Sequence, residues 1–206
     1  MKLLVNKFKD EAVWIVGKGP SLQYLRKEHI LSGPIITLNQ AILAVENLNF
    51  PNPIFSLQKD GGNKLIYDQA TQSLICLHSP NCGNSCEDMV RPKEAFLMVD
   101  IHESLYCFPD YTPRLVYDWA DFGMVENEFS LVIAIKIGQL MGCSKFVLVC
   151  CDAHAGGESD KLYIPNVGVV YEQGLPLYKA QIDKLKPFLS GLDVKFIMPE
   201  SNDESR

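Results

Sequence analysis

The sequence has no uninterrupted apolar run close to the roughly 20 residues that a membrane-spanning helix requires. Its opening, MKLLVNKFKD, begins like an export signal, but Asn6, Lys7 and Lys9 interrupt it before an apolar segment of sufficient length can form. We therefore expect a cytoplasmic protein without integral membrane contact. The seven cysteines of such a protein should be mostly free thiols.

An excess of positive charge is also missing, because 25 acidic residues outnumber 19 basic ones and give a net charge of −6. This balance argues against non-specific binding to nucleic acid and against attachment to an anionic membrane, although it allows a local basic pocket around Lys18. The sequence has no internal repeat and no low-complexity segment. Its 206 residues predict a single domain over 1–206, in which 199–206 form a polar tail.

The most informative stretch is AVWIVGKGPSL, residues 12–22. Its apolar start is typical of a buried strand, and the glycines that follow allow a tight turn and a close approach of backbone to a ligand. A proline after the turn suits the first turn of a helix, whose free N–H groups attract anions. We expect the turn to bind a nucleotide phosphate through these N–H groups, the Ser21 hydroxyl and the mobile charge of Lys18. The residues of this expected site are Gly17, Lys18, Gly19, Pro20 and Ser21; the alternative is an ordinary turn without a ligand.

This turn differs from two common phosphate-binding motifs. Leu22 stands at the third glycine position of the dinucleotide-binding fingerprint. Lys18 lies between the glycines, and no Gly-Lys-Ser or Gly-Lys-Thr follows, so the turn is not a P-loop either.

Residues 16–22, VGKGPSL, instead resemble the GxGPSL turn of a group of α/β proteins. The group includes bacterial sialyltransferases, motility-associated flagellin glycosyltransferases and archaeal-type 6-hydroxymethylpterin diphosphokinases. Residues 35–41, IITLNQA, resemble its second strand, which ends in asparagine, and residues 130–152 resemble a helix and a strand that ends in Gly-x-Asp. The chain departs from the group there, because its residues 150–152 are Cys-Cys-Asp and carry a cysteine where a glycine is usual. The resemblance implies that Asn39 and Ser130 also belong to the nucleotide site.

Hydrophobic periodicity predicts strands that alternate with helices. Strands are expected at 12–16, 35–38, 54–57, 74–77, 94–99, 145–151 and 194–198, and helices near 22–32, 41–48, 63–72, 129–141 and 178–189. Residues 103–128 follow no steady period, which is typical of a lid, a binding loop or a segment whose elements are wrongly assigned. Pro187 is expected to disturb the last helix. The alternation predicts βαβ units and a mainly parallel sheet in a Rossmann-like three-layer α/β domain.

Ligands of an open parallel sheet bind at the carboxyl ends of its strands. The polar residues just after the predicted strands are therefore candidates for one site, together with the glycine turn. They are Asn39, Asp60, Asp100, His102, Asp152 and His154.

Several of these candidates have a specific expected role. Asn39 suits a hydrogen bond to a base or a ribose, or alternatively the N-cap of the next helix. Asp152 suits ribose hydroxyls or a divalent cation, or alternatively a cap or a turn. His154 is expected to take the proton of an acceptor hydroxyl, because an ordinary imidazole has a pKa near the working pH; the alternative is a solvated loop histidine. Tyr163 and Tyr171 are candidates to hydrogen-bond a leaving phosphate, as tyrosines do in the similar sialyltransferases.

A separate cluster of soft ligands consists of Cys76, His78, Cys82 and Cys86, four residues within eleven positions. Such ligands are the chemistry of structural zinc, but their spacing differs from that of common zinc knuckles. The alternative is that Cys76 is a small apolar residue of a strand. We expect no metal at these residues.

Three functional hypotheses follow. The first, implied by the resemblance, is a glycosyltransferase with a CMP- or UDP-linked sugar as donor and a glycan or small molecule as acceptor. Asp152 and His154 are its catalytic residues, the aromatic residues between 106 and 122 help to bind the acceptor, and its need for Mg²⁺ is open. The second is a diphosphotransferase that uses ATP and Mg²⁺, with Asp60, Asp100 or Asp152 as metal ligands. The third is a nucleotide-binding module without activity, which the cysteines before Asp152 favour.

Overall fold

The computed structural model describes residues 2–58, 65–68, 73–76, 95–100, 114–118, 122, 130–156, 161–165, 168–171 and 175–201. Its strands are β1 (Ala12–Val16), β2 (Ile35–Leu38), β3 (Ile54–Leu57), β4 (Leu65–Asp68), β5 (Ser73–Cys76), β6 (Phe96–Asp100), β7 (Arg114–Tyr117), β8 (Lys145–Val149), β9 (Lys161–Ile164), β10 (Gly168–Tyr171) and β11 (Val194–Ile197). Seven of these strands form one sheet in the order β11-β8-β1-β2-β3-β6-β7, in which all neighbours are parallel. The pairs β4–β5 and β9–β10 form separate antiparallel sheets. The predicted Rossmann-like α/β fold is confirmed.

The helices are α1 (Ala41–Asn47), α2 (Ser130–Leu140) and α3 (Leu175–Ser190), and short 3-10 turns occur at Lys2–Leu4, Pro20–Tyr24, Lys27–His29 and Asp152–Ala155. The predicted helix at 129–141 is confirmed as α2, which is buried along most of its length. Within the described part of the chain, no helix is both long and apolar enough to cross a membrane.

Side chains of β1 alternate between two apolar cores, one on each face of the sheet. Val13 and Ile15 belong to the core formed with α2 and α3, whereas Trp14 and Val16 belong to the core formed with α1 and the turns after β1. All four side chains are buried. The sheet is thus the middle of three layers, which is why β1 is a continuous apolar run.

The segment before β1 provides partners for the carboxyl end of α2. The donors are the N–H groups of Asn6, Phe8 and Asp10, and the acceptors are the carbonyl oxygens of Leu140, Met141 and Gly142, at 3.0, 2.8 and 3.0 Å. Since the last carbonyls of a helix have no partner within it, these bonds fix the end of α2 at the amino edge of the sheet.

One predicted helix is wrong. Within the helix predicted at 63–72, Leu65–Asp68 is strand β4, which pairs antiparallel with β5. β5 corresponds to the strand predicted at 74–77, but it lies in this hairpin and not in the main sheet. The apolar residues of such a short window fit both periods, and pairing with a neighbouring strand decides between them.

The amphipathic helix predicted near 22–32 is also wrong. The chain forms two 3-10 turns there and is extended at Leu25, where φ is −61° and ψ is 132°. Leu22, Leu25 and Ile30 are nevertheless buried, as the pattern indicates. Two short turns are enough to bury these side chains and lead the chain directly into β2.

Two further segments differ from the prediction. Strand β7 lies within 103–128, where periodicity shows no element. Helix α3 continues past Pro187 to Ser190, although a proline within a helix usually disturbs it. The proline removes the i→i−4 hydrogen bond that an N–H at this position would donate. In the last turn, whose carbonyls lack partners within the helix, the Ser190 hydroxyl donates to the Pro187 carbonyl at 2.8 Å.

The strand order creates a topological switch point between β1 and β8. From β1 the chain adds strands on one side as far as β7, and it then returns through α2 to β8 on the other side. Connections that diverge in this way leave a crevice at the carboxyl ends of the two strands, where ligands of open α/β sheets bind. The turns after β1 and β8 therefore flank the expected ligand site.

Helix α2 lies so close to the sheet that Gly138 has no room for a side chain. A Cβ atom there would lie 2.9 Å from Cγ1 of Val13 and 3.0 Å from Cε1 of Phe146. We expect Gly138→Ala to lower the free energy of unfolding by about 1–3 kcal/mol in urea titrations, because overpacking outweighs the better helix propensity of alanine. Val13→Ala restores space beside this Cβ. The double variant should therefore lose less free energy of unfolding than the two single variants lose together. Additive losses would contradict the contact.

Candidate functional site

The turns after β1 and β8 are hydrogen-bonded to each other. We call residues 17–21 the glycine turn and residues 150–154 the β8 turn. The N–H of Gly17 donates to the carbonyl of Val149 at 2.8 Å, and that of Gly19 donates to the carbonyl of Cys150 at 2.8 Å. These bonds extend the pairing of β1 with β8 beyond the strands. The structure thus brings together two candidate segments that are far apart in sequence.

Both glycines are required by contacts within the chain. A Cβ atom on Gly17 would lie 2.7 Å from the carbonyl oxygen of Cys150 and 2.8 Å from Sγ of Cys151. A Cβ atom on Gly19 would overlap the carboxylate of Asp152. The glycines were expected to let the backbone come close to a ligand. In the structure they let the glycine turn come close to the β8 turn.

The carboxylate of Asp152 occupies the anion position of the glycine turn. The backbone N–H of Ser21 donates to Oδ1 at 3.2 Å, and its hydroxyl donates to Oδ2 at 2.7 Å. Ser21 belongs to the first turn of Pro20–Tyr24, so this carboxylate caps the start of that 3-10 turn. The alternative role of Asp152 as a cap is thus observed, but for a segment 131 residues away.

This arrangement corrects the expected mode of phosphate binding. The N–H groups of Gly17, Gly19 and Ser21 all donate to acceptors of the protein, and the Ser21 hydroxyl is bound to Asp152. A phosphate placed over the turn would therefore meet a carboxylate instead of free N–H groups. Within the described residues, the backbone N–H of Lys18 has no such acceptor, and it is the donor left for a ligand.

Two buried cysteines complete the β8 turn. Cys150 has a φ of +55°, in the left-handed region that residues other than glycine rarely adopt. Burial raises the pKa of its thiol to about 12, and a hydrogen bond with Ser21 opposes this effect. Burial also raises the pKa of Cys151. Both residues are free thiols, and their raised pKa values keep them uncharged, so they are not nucleophiles at neutral pH.

His154 lies in the 3-10 turn Asp152–Ala155, and its N–H donates to the carbonyl of Cys151 at 2.9 Å. Burial lowers the pKa of its imidazole to about 4. The expectation that this pKa lies near the working pH is therefore wrong for the protein without ligand. His154 is half-buried, and its Nε2 atom is shielded from solvent.

Lys18 adds a cation to the glycine turn. Its ammonium group has no acidic partner within 4 Å among the described residues. Its carbonyl accepts a hydrogen bond from the N–H of Tyr163 at 2.7 Å, which joins β9 to the glycine turn. The ring of Tyr163 packs against the apolar core beside this turn.

Buried polar side chains lie within β2 and β3 and directly after them, toward the same edge of the sheet. We call them the polar cluster, and they are Thr37, Asn39, Gln40, Ser56 and Gln58, at most 5% exposed. The amide Nε2 of Gln58 donates to the carbonyl of Asn39 at 3.1 Å and to the hydroxyl of Ser56 at 2.7 Å. This amide thereby joins the ends of β2 and β3.

Asn39 and Gln40 form the turn from β2 into α1. Asn39 has a φ of +50°, which asparagine tolerates better than most residues. The N-cap of α1 is Gln40, so the alternative role of Asn39 as that cap is wrong. Both amide atoms of Gln40 are buried, and neither has a hydrogen-bond partner among the described residues. Gln40 is not among the site residues expected from the sequence, although a polar residue that follows Asn39 after a buried strand carries the same signal.

Other candidates are placed only in part. Asp60, His78, Cys82, Cys86 and His102 lie outside the described residues, as do most of the aromatic residues between 106 and 122. Cys76, Asp100 and Tyr171 lie in strands whose backbone alone is described at these positions. Ser130 begins α2 at the end of the helix that faces the carboxyl edge of the sheet. In the described part of the chain, no group of three or more histidine, cysteine or acidic residues could hold a metal ion.

Substitution of Gly19 tests the contact between the two turns. We expect Gly19→Ala to lower the free energy of unfolding by about 1–3 kcal/mol, because its Cβ would displace the Asp152 carboxylate or shift backbone. Gly191→Ala is the matched control, since its Cβ would lie 3.6 Å from the nearest atom, the carbonyl oxygen of Phe188. Urea unfolding of both variants measures the difference, and equal stability of the two would contradict the contact.

The lowered pKa of His154 predicts a dependence of stability on pH. Between about pH 6.5 and 4 the unfolded chain binds a proton that the folded imidazole does not, so stability falls as the pH falls through this window. His154→Gln should lose less stability over the same window in urea titrations. The difference between the proteins at pH 7.5, where the imidazole is uncharged in both states, is the control for lost packing. Parallel pH profiles would show that burial does not lower this pKa.

Comparison with models of protein families and with curated proteins gives no match to this chain. The support for a function is therefore the joined pair of turns at the switch point, the cation of Lys18 and the polar cluster beside them.

Proposed function

We propose that this protein is a glycosyltransferase that binds a CMP- or UDP-linked sugar at the carboxyl edge of its sheet. The observation that carries the proposal is the junction of the glycine turn and the β8 turn at the topological switch point. It gathers a lysine, a carboxylate and an imidazole on adjoining turns. These groups suit the three needs of the reaction, which are to hold a phosphate, to orient a ribose and to accept a proton.

The donor phosphate is assigned to Lys18. Its ammonium group has no ion-pair partner in the described part of the chain, and a lysine binds phosphate as a compact point charge. The carboxylate of Asp152 repels an anion from the start of the 3-10 turn. The phosphate therefore lies beside the lysine and its backbone N–H, and not over the turn.

The ribose is assigned to Asp152. Each of its carboxylate oxygens accepts one hydrogen bond from Ser21 and retains capacity for another. Ribose hydroxyls are donors that fit this remaining capacity. Because Ser21 already fixes the carboxylate, little side-chain entropy is lost when the ribose binds.

The proton of the acceptor hydroxyl is assigned to His154. As this proton leaves, the hydroxyl oxygen bonds to the anomeric carbon of the sugar, and the bond from that carbon to the donor phosphate breaks. Burial keeps the imidazole uncharged and ready to accept a proton, but a pKa of about 4 makes it a weak base. The negative phosphate of a bound donor raises this pKa by favouring the imidazolium, so the base strengthens when the donor is present.

The proposal is tested by thermal shifts with CMP, UMP, UDP and ATP, each with and without Mg²⁺. A ligand at 100 times its Kd should add about 2.7 kcal/mol of stability. We expect CMP or a uridine nucleotide to raise the Tm, and Lys18→Met to weaken that binding at least tenfold. Lys27→Met is the control, since this lysine is exposed in the neighbouring 3-10 turn.

Transfer of the sugar is then followed as release of CMP or UDP from the matching donor in the presence of glycan acceptors. A shift with ATP and Mg²⁺ alone would contradict the proposal and favour diphosphotransfer. Binding of CMP or UDP without any release from the sugar donors would favour a binding module without activity. Equal effects of the two lysine variants would remove Lys18 from the phosphate site.

A further inference from the structure

We infer that Gln40 contacts the bound donor through its side-chain amide. The group it pairs with must offer one hydrogen-bond donor beside one acceptor, because a carboxamide supplies the complement of both. The edge of a nucleobase and adjacent hydroxyls of a sugar share this chemistry. The inference rests on the proposed function, since it adds a contact to the same nucleotide-sugar site.

The amide of Gln40 is an exception among buried polar groups. Gln40 is 2% exposed, and neither Nε2 nor Oε1 of its side chain has a hydrogen-bond partner in the described part of the chain. Most buried side-chain polar atoms do have a partner, because an unsatisfied one loses its bonds to water without replacement. The folded protein without ligand is therefore less stable with this amide than with an apolar side chain of the same shape.

Gln58, at the same edge of the sheet, has a side-chain amide whose hydrogen bonds are made within the protein. It is fully buried, like Gln40, but its Nε2 donates to the carbonyl of Asn39 and to the hydroxyl of Ser56. Rotation of this side chain would break both bonds. Rotation of Gln40 breaks no hydrogen bond, so a bond from its amide to a ligand replaces none within the protein.

The position of Gln40 suits a contact with a donor held at Lys18. Gln40 follows β2, and β2 pairs directly with β1, which carries the glycine turn. Neighbouring strands lie about 4.8 Å apart, which is less than the length of a nucleotide. A donor whose phosphate lies beside Lys18 therefore reaches the end of β2 with its base or its sugar.

The test compares two substitutions of buried glutamines by methionine, which has a similar shape and no polar amide. Gln40→Met should raise the Tm of the protein without ligand and weaken the binding of its nucleotide or sugar donor at least tenfold. Gln58→Met should lower the Tm, because the hydroxyl and carbonyl that it contacts lose their partner. Isothermal calorimetry with CMP, UMP, CMP-sialic acid and UDP-N-acetylglucosamine measures the affinities.

The ligands separate the two sources of the paired group. An equal loss for nucleotide and sugar donor assigns Gln40 to the base, and a loss confined to the sugar donor assigns it to the sugar; both support the inference. A lowered Tm of Gln40→Met, or unchanged affinity for every ligand that the wild type binds, overturns it while the proposed function stands. Absence of binding by the wild type overturns the proposed function, and the inference with it.

Discussion

The pair of hydrogen bonds from Ser21 to Asp152 is the interaction on which the carboxyl edge depends. On one side it starts the 3-10 turn that leads the chain from β1 toward β2. On the other side it fixes the first residue of the short turn that carries His154. One carboxylate therefore orients both turns of the switch point. Gly19 is needed because this carboxylate comes so close, whereas Gly17 is needed because the carbonyl oxygen of Cys150 and Sγ of Cys151 do. The chain supplies from within the anion that such a turn usually takes from a ligand.

This internal anion changes the electrostatics that the sequence alone indicates. The N–H groups of Gly17, Gly19 and Ser21 are already engaged within the protein, and Lys18 has no acidic partner within 4 Å among the described residues. The thiols of Cys150 and Cys151 and the imidazole of His154 are all held uncharged by burial. A site with few fixed charges next to an apolar core responds strongly to the charge that a ligand brings, since buried charges are screened little.

Elements with continuous apolar runs could be predicted from the sequence. The bounds of β1, β2 and β3 agree with the prediction, because each run is bordered by turn residues, and α2 agrees within one residue at each end. The hairpin of β4 and β5 was missed because short apolar windows fit two periods. The cap on Ser21 was not predictable, since it joins residues 131 positions apart. The low pKa of His154 and the unsatisfied amide of Gln40 depend on burial, which local sequence does not report.

The position of β1 in the middle of the sheet also has a consequence for the order in which the chain assembles. During synthesis β1 emerges before the other strands that the structure describes, and its pairing with β2 requires only a short further length of chain. Its other side, and the N–H groups that donate to the end of α2, have no partners until residues 140–149 have been made. Until those residues have been made, the nascent chain therefore exposes an apolar strand edge, the kind of edge that chaperones shield and that promotes aggregation.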